Sequence, residues 1–286
     1  GVRMKRTGHD ETVEAAFLNE SPETVNRVYG GGRREKRERL IRTHPDVMGR
    51  ADLAQRHAEL TNVRYIFSTW RMPIIDPEEL GWLPNLTALF YAAGSVREFA
   101  EPYLARGVRV ISARAANAES VAEFTLAQVI LAAKNYFSQL REPRIEPRLP
   151  EAPGLYEITV SLLGAGAVGS LLARHLKSRP VNVLVFDPYL SDAVARRLGV
   201  TRCSLDEAFK FGHRVSNHLA NLPATQEMIE GRHFELMRRG ATFINTARGE
   251  TIDQAAMIRS LQDRSDLTAL LDVVTPNQPE IEQLAA

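Results

Sequence analysis

TVSLLGAGAVGSLLARHLKSRPVNVLVFD, residues 159–187, is the stretch whose reading decides the fold of this chain. An apolar run from Val160 to Leu163 enters a turn with Gly164, Gly166 and Gly169 in the order G-x-G-x-x-G. Val168, Leu171, Leu172 and Leu176 then recur at steps of three and four, the period of a helix with one apolar face. A second apolar run, Val183 to Phe186, ends in Asp187. The glycine pattern alone is weak. A strand before it, a helix after it and an acid roughly 20 residues further on make it a dinucleotide-binding fingerprint. Gly164 permits the tight turn, Gly166 lets a pyrophosphate approach the backbone, and Gly169 lets the helix pack close to the strand. The helix N-terminus offers unpaired N–H groups and a positive dipole end to the phosphates. Asp187 accepts hydrogen bonds from both ribose hydroxyls and repels a 2′-phosphate, so the expected cofactor is NAD rather than NADP. Ala165, Ala167, Val168 and Pro188 complete the expected cofactor-binding set around these residues.

The 286 residues suit two domains or one large α/β domain. At 44%, hydrophobic residues can fill sizeable cores, and a formal net charge of +1 gives no field to gather nucleic acid or an anionic membrane. The single Cys203 cannot form a disulfide within the chain or build a zinc site alone, and no metal is expected. No uninterrupted apolar run reaches the length of a membrane span. The N-terminus, GVRMKRTGHDETVEAAF, is too polar for a secretory signal, so the expected location is the cytoplasm.

Upstream of the fingerprint, strands are expected at Ala15 to Asn19, Val63 to Thr69, Leu86 to Ala92 and Val108 to Ser112. Between them lie short helices: one capped by Ser21 with Pro22 in its first turn, one capped by Asp76, and one at Pro102 to Arg106. Such alternation predicts a parallel sheet. The basic stretch Arg33 to Arg42 reads as the solvated face of a surface helix, because glutamates interleave and no aromatic is present to stack on bases. Asn117 to Phe137 is the longest helical pattern, with Asn117 as its expected N-cap. Its apolar positions, Val121, Leu126, Val129, Ile130 and Ala133, cover more than one face, which predicts burial between domains or subunits. Arg141 to Pro153 holds four prolines and reads as an irregular arm. After Asp187, strands are expected at Arg214 to Leu219, Thr242 to Asn245 and Leu267 to Val273. Ligands of open α/β sheets bind outside the C-terminal strand ends, which puts Arg248, Asp272 and the glycine turn at one crevice.

AAGSV (92–96), NAESVAEFTLAQVILA (117–132), LLGAGAVG (162–169), FDP (186–188), INTARGETIDQAAMIRSL (244–261) and ALLDV (269–273) together resemble the NAD-dependent D-2-hydroxyacid dehydrogenases. That family includes D-3-phosphoglycerate dehydrogenases and glyoxylate/hydroxypyruvate reductases. The resemblance covers nearly the whole chain, and INTARG followed by D-x-A-A is its most specific part. It implies an α/β fold of two Rossmann-like domains with doubly wound parallel sheets. A nucleotide domain, residues 117–286, would be inserted in a substrate domain, residues 1–116. It also implies NAD-dependent hydride transfer between a small D-2-hydroxy acid and its 2-keto acid. Arg248 would hold the substrate carboxylate and polarise the C2 oxygen, a task that suits a charged planar fork. The backbone of Gly94, Ser95 and Val96 would grip the same carboxylate, with Asn117 on the substrate side or at the hinge. Asp272 would accept from the nicotinamide carboxamide. His218 and Ala220 would lie beside the cofactor, although the family's proline is absent there, and Thr246 and Ala247 would complete the cofactor contacts. A homodimer is implied through residues 117–137 and the proline-rich arm.

The resemblance also implies a general base, a histidine after the last strand paired with a glutamate that raises its pKa and fixes its tautomer. Read without a gap, the glutamate position is Asn277, with Glu280 close by. None of the seven histidines follows Asp272. The base is therefore expected beyond Ala286, together with the last strand and the helix that returns to the substrate domain. His218 is disfavoured as a substitute. A second reading is a non-catalytic NAD(H)-binding sensor or corepressor-like protein of the same fold.

Overall fold

A computed structural model describes residues 13–141 and 154–275. The chain divides into two compact units, Gly1–Asn117 and Ala118–Ala286, taken separately below.

In the first unit β1 (Ala15–Leu18), α1 (Pro22–Tyr29), α2 (Arg33–Glu38), β2 (Thr43–Met48) and α3 (Arg50–Arg56) are followed by β3 (Tyr65–Ser68) and α4 (Pro77–Gly81). Then come β4 (Ala88–Tyr91), α5 (Ala100–Ala105) and β5 (Arg109–Ser112). The strands pair in parallel in the order β2-β1-β3-β4-β5, one of the two common doubly wound orders. Helix starts follow local chemistry: Ser21 Oγ accepts from Thr24 N–H at 3.2 Å, and Asp76 and Glu79 cap each other's backbone reciprocally. One sheet face buries Leu18, Ile66 and Leu89 against Leu53, Leu80 and Tyr103.

In the basic stretch α2 is a surface helix with no buried residue, as read, but Arg37 departs from a purely solvated face because of the other side of the sheet. That side carries an aromatic cluster of Phe17, Tyr29, Phe67 and Phe90. Arg37 lies on it with its guanidinium 4.2 Å from the Phe17 ring centroid, a cation–π contact, while Leu40 is 87% exposed. The arginine is covered and the leucine is solvated, the reverse of what polarity alone predicts. Strand β2 was not expected either. Pro45 argues against a central strand, and β2 is an edge strand, where a proline is tolerated.

Helix α6 (Arg114–Ala133) begins earlier than expected, so Asn117 is not its N-cap. Asn117 N–H donates to the Ala113 carbonyl at 2.9 Å, inside the helix. The Arg-Ala-Ala run of 114–116 has high helix propensity, and Ser112 Oγ accepts from Arg114 N–H at 3.3 Å. The helix stops at Ala133 because Asn135 turns left-handed at φ 55°. α7 (Tyr136–Arg141) follows. Of the arm expected at Arg141 to Pro153, Arg141 ends α7 and residues 142–153 lie outside the described residues.

The second unit continues with β6 (Thr159–Leu163), α8 (Ala167–Leu176), β7 (Asn182–Phe186), α9 (Asp192–Leu198), β8 (Thr201–Arg202) and α10 (Leu205–Phe211). It goes on through β9 (Arg214–Asn217), α11 (Gly231–Leu236), β10 (Thr242–Asn245), α12 (Gln254–Asp263) and β11 (Thr268–Leu271). The parallel order β11-β10-β9-β6-β7-β8 is the Rossmann order, with its switch point between β6 and β9. Both faces are covered. Val160, Leu162 and Ile244 pack with Val129, Leu172 and Leu176, whereas Leu163, Val215 and Phe243 pack with Phe209, Phe234 and Met257. Alternation of period two sends neighbours such as Phe243 and Ile244 to opposite faces, and double coverage makes the strands almost continuously apolar. At the N-terminal end of β9 the buried Arg214 guanidinium donates to the carbonyls of Ala132, at 2.6 Å, and Gly240, at 3.3 Å, and to Asn135 Oδ1 at 3.3 Å. It closes the C-terminal turn of α6, and burial pushes its pKa down to about 10.

Candidate functional site

In the second unit the expected cofactor residues lie past the C-terminal ends of neighbouring strands. Gly164 starts the turn after β6 at φ 100°, a region closed to most side chains. A Cβ on Gly164 would stand 2.9 Å from the His218 carbonyl oxygen, so the turn is pressed against the loop after β9. On Gly169, in the first turn of α8, a Cβ would overlap the Gly164 carbonyl oxygen. Gly166 is different: a Cβ there would meet nothing within 4 Å, and the residue is exposed at the N-terminus of α8. Two glycines thus serve packing and the third leaves open space beside free N–H groups of a helix, which suits a pyrophosphate. Ala165, Ala167 and Val168 are half-buried around that opening.

Asp187, directly after β7, is held from two sides. Ala165 N–H donates to its Oδ2 at 2.7 Å, and Tyr189 N–H donates to its Oδ1 at 2.8 Å. Each carboxylate oxygen keeps a lone pair for a hydroxyl. Pro188 and Tyr189 are exposed. After β9, His218 is half-buried, its Nε2 lies 3.0 Å from Ser216 Oγ, and burial pushes its pKa down to about 4. The imidazole is therefore neutral near pH 7. Ala220 is exposed two residues on.

After β10, Thr125 Oγ1 donates to the Val121 carbonyl at 2.8 Å, so in its 3.1 Å contact with Thr246 the Thr246 hydroxyl is the donor. Ala247 N–H donates to Asn245 Oδ1 at 3.1 Å. Arg248 is exposed and extended at φ −149°, with Nη1 donating to the Ala247 carbonyl at 2.7 Å. After β11, Asp272 is exposed while its N–H donates to the Asn245 carbonyl at 3.0 Å. A Cβ on Gly249 would overlap the main chain at Val274 and Thr275, so the loops after β10 and β11 touch closely. Sequence reasoning missed Asn217, Asn245 and Thr251, which are fully buried between these loops. The available signal was an Asn ending each of two strands, β9 and β10, and Thr251 gave none.

In the first unit Gly94, Ser95 and Val96 follow β4, and Asn117 lies in the first turn of α6. Asn117 Nδ2 stands 3.4 Å from the position of a Cβ on Gly94, so its amide lies over this turn. Ser95 Oγ accepts from Arg97 N–H at 3.4 Å.

Two histidine–carboxylate pairs occur among the described residues, one in each unit. His44 Nε2 is 3.0 Å from Glu59, but β2 pairs its Thr43 with Ala15 at the N-terminal end of the sheet, away from the ligand edge. His233 accepts from Glu230 N–H at 2.9 Å and stands 3.4 Å from Asp206, capping α11. Asn277 and Glu280 lie outside the described residues. Among the described residues no group of His, Cys, Asp or Glu could hold a metal ion, and no helix is long and apolar enough to cross a membrane.

The model of the D-isomer specific 2-hydroxyacid dehydrogenase NAD binding domain matches residues 125–285, more than half of the chain. D-3-phosphoglycerate dehydrogenase of Mycobacterium tuberculosis (strain ATCC 25618 / H37Rv) is 30% identical over 203 residues, covering 70% of this chain and 38% of that protein. D-3-phosphoglycerate dehydrogenase 2, chloroplastic, of Arabidopsis thaliana is 32% identical over 176 residues, covering 60% of this chain and 28% of that protein. The chain thus spans well under half the length of these relatives. Among solved structures, a D-lactate dehydrogenase from Treponema pallidum superposes with TM-score 0.72 at 20% identity, over 96% of this chain and 87% of that one. The D-lactate dehydrogenase of Aquifex aeolicus complexed with NAD and lactic acid gives TM-score 0.68 at 21% identity, over 96% and 85%. At these identities the structures speak for the fold alone.

Proposed function

This chain belongs to the D-isomer specific 2-hydroxyacid dehydrogenase family, and we propose that it interconverts a small D-2-hydroxy acid and its 2-keto acid with NAD. One observation carries the reading. The glycine turn, Asp187, Arg248 and Asp272 stand on one edge of one sheet, on loops bonded or packed to their neighbours. When bound, the nicotinamide supplies or accepts the hydride.

The chain's own residues bind and orient. The turn at 164–166 and the N-terminus of α8 would hold the pyrophosphate, Asp187 the adenosine ribose, and Asp272 would accept from the nicotinamide carboxamide. Arg248 would leave the Ala247 carbonyl and pair its fork with the substrate carboxylate, its positive charge stabilising negative charge on the C2 oxygen. His218, neutral and tied to Ser216, orients the cofactor loop rather than exchanging the proton. A proton donor for the C2 oxygen is required, and in residues 1–286 no histidine follows Asp272 to supply it.

We also propose a homodimer through α6 and α7. The outer side of these helices exposes Phe124, Ile130, Leu131, Tyr136 and Leu140, with Leu140 61% exposed. Light scattering tests this, and a monomer at micromolar concentration contradicts it. The functional reading is tested by NADH oxidation with a panel of 2-keto acids on the full-length protein. Tight NADH binding without turnover of any of them would favour the sensor reading instead.

A further inference from the structure

Asn217, Asn245 and Thr251 have no role in the reaction proposed above, yet each is 0% exposed and together they join the loops that carry it. Asn217, the last residue of β9, donates through Nδ2 to Asn245 Oδ1 at 3.0 Å and to Thr251 Oγ1 at 2.8 Å. Its Oδ1 accepts from Leu219 N–H at 3.1 Å, which holds the loop of His218. Asn245, the last residue of β10, donates to the carbonyls of Arg248, at 3.3 Å, and Val273, at 3.4 Å. Thr251 Oγ1 donates to the Arg248 carbonyl at 2.9 Å.

Every donor in this cluster has an acceptor. Reversing either amide would set N–H against N–H or oxygen against oxygen, so the orientations are mutually fixed. A buried polar network that is fully satisfied rigidifies its surroundings, whereas a half-satisfied one is costly. Three hydrogen bonds converge on the main chain at Ala247 and Arg248, next to the one side chain assigned to the substrate. A fourth reaches Val273, beside Asp272.

We propose that Asn217, Asn245 and Thr251 are positioning residues that fix the Arg248 main chain relative to Asp272, so that the guanidinium meets the substrate carboxylate in one geometry. The proposal rests on the reading of Arg248 as the carboxylate-binding residue. Thr251 is its sharpest point. Its hydroxyl receives from Asn217 and donates to Arg248, so the order of the β9 end passes through one oxygen to the arginine. Misplacement of a binding group by about 1 Å can cost on the order of a hundredfold in rate.

The test is a double-mutant cycle on the full-length protein. Thr251→Val keeps the shape and removes the hydroxyl, and Thr251→Ser keeps the hydroxyl. With a 2-keto acid that the wild type reduces, Thr251→Val should lower kcat/KM by about tenfold or more. NADH affinity should stay within about twofold, because the Thr251 hydroxyl bonds only Asn217 and the Arg248 carbonyl and reaches neither the glycine turn nor Asp187, and Thr251→Ser should recover most of the loss. In an Arg248→Lys background the same Thr251→Val change should cost less than about threefold, since the fork it positions is gone. Where turnover is too slow, the dissociation constant of oxalate in the presence of NADH follows the same cycle. A loss of equal size in both backgrounds, or a parallel loss of NADH affinity, overturns the proposal and leaves a merely structural cluster. If wild-type protein binds NADH but neither reduces any 2-keto acid nor binds oxalate, the reading of Arg248 fails first and this inference with it.

Discussion

Two glycines of one fingerprint should respond to the same substitution in opposite ways. Gly164→Ala adds a methyl group at φ 100°, with the new carbon 2.9 Å from the His218 carbonyl oxygen and 3.3 Å from the Leu219 nitrogen. The left-handed conformation alone costs about 1–2 kcal/mol for a residue with a Cβ. The contact is with main chain, which yields less readily than a side chain, and overpacking of this kind adds about 1–3 kcal/mol. We expect a loss of about 3 kcal/mol in unfolding free energy. Gly166→Ala places its methyl group in open space at φ −66°, with no heavy atom within 4 Å. Its effect on stability should stay within about 1 kcal/mol, the scale of an N-cap change. That same open space is where the pyrophosphate is assigned, so NADH affinity should fall at least about tenfold, equivalent to about 1.4 kcal/mol. Urea unfolding followed by circular dichroism and NADH titration by fluorescence measure the two quantities. The reasoning is refuted if both variants lose stability alike, or if Gly166→Ala binds NADH as the wild type does.

Further outcomes follow from other residues. Asp187→Ala should weaken NADH at least about tenfold and NADPH far less, because only the first loses ribose hydrogen bonds of the charge-assisted kind; equal losses in parallel titrations would contradict the assignment of Asp187. Burial holds His218 near pKa 4 against an ordinary 6.5, and it lowers His213 and His233 as well. Between those pH values the unfolded chain binds protons that the folded chain refuses, so stability should fall as pH drops from about 6.5 to about 4 and be flat just above that window. Urea midpoints across pH check this, and His218→Asn should flatten part of the slope. Arg214→Met should destabilise by about 2–4 kcal/mol by removing its buried hydrogen bonds to the Ala132 and Gly240 carbonyls and to Asn135 Oδ1. A change within about 0.5 kcal/mol would show that α6 is closed by other means.

What was legible in the sequence was legible for physical reasons. The Rossmann unit announces itself because a tight turn under a helix tolerates only glycine at Gly164 and Gly169, and because β6 and β7, covered on both faces, are largely apolar. Arg248 and Asp272 could be placed because parallel strands put their following loops on one edge. The misses share a cause too. Asn117 looked like a cap because its side chain is a good one, but Arg114 to Ala116 carry the helix past it. β2 is hidden by Pro45, which only an edge position allows. Arg37 was read from its charge, although the Phe17 and Phe67 rings beneath it come from strands far away in sequence. The same distance hid Asn217, Asn245 and Thr251, whose meaning lies in bonds between the ends of different strands.

A nicotinamide-linked reaction is assigned to Arg248. It is tested most directly by following NADH oxidation by the full-length protein over a panel of 2-keto acids, with wild type and Arg248→Ala side by side. The account predicts turnover of at least one acid, with kcat/KM lower by on the order of a hundredfold or more in the variant, and NADH affinity nearly unchanged. Turnover that is indifferent to Arg248, or NADH binding with no turnover at all, would contradict it.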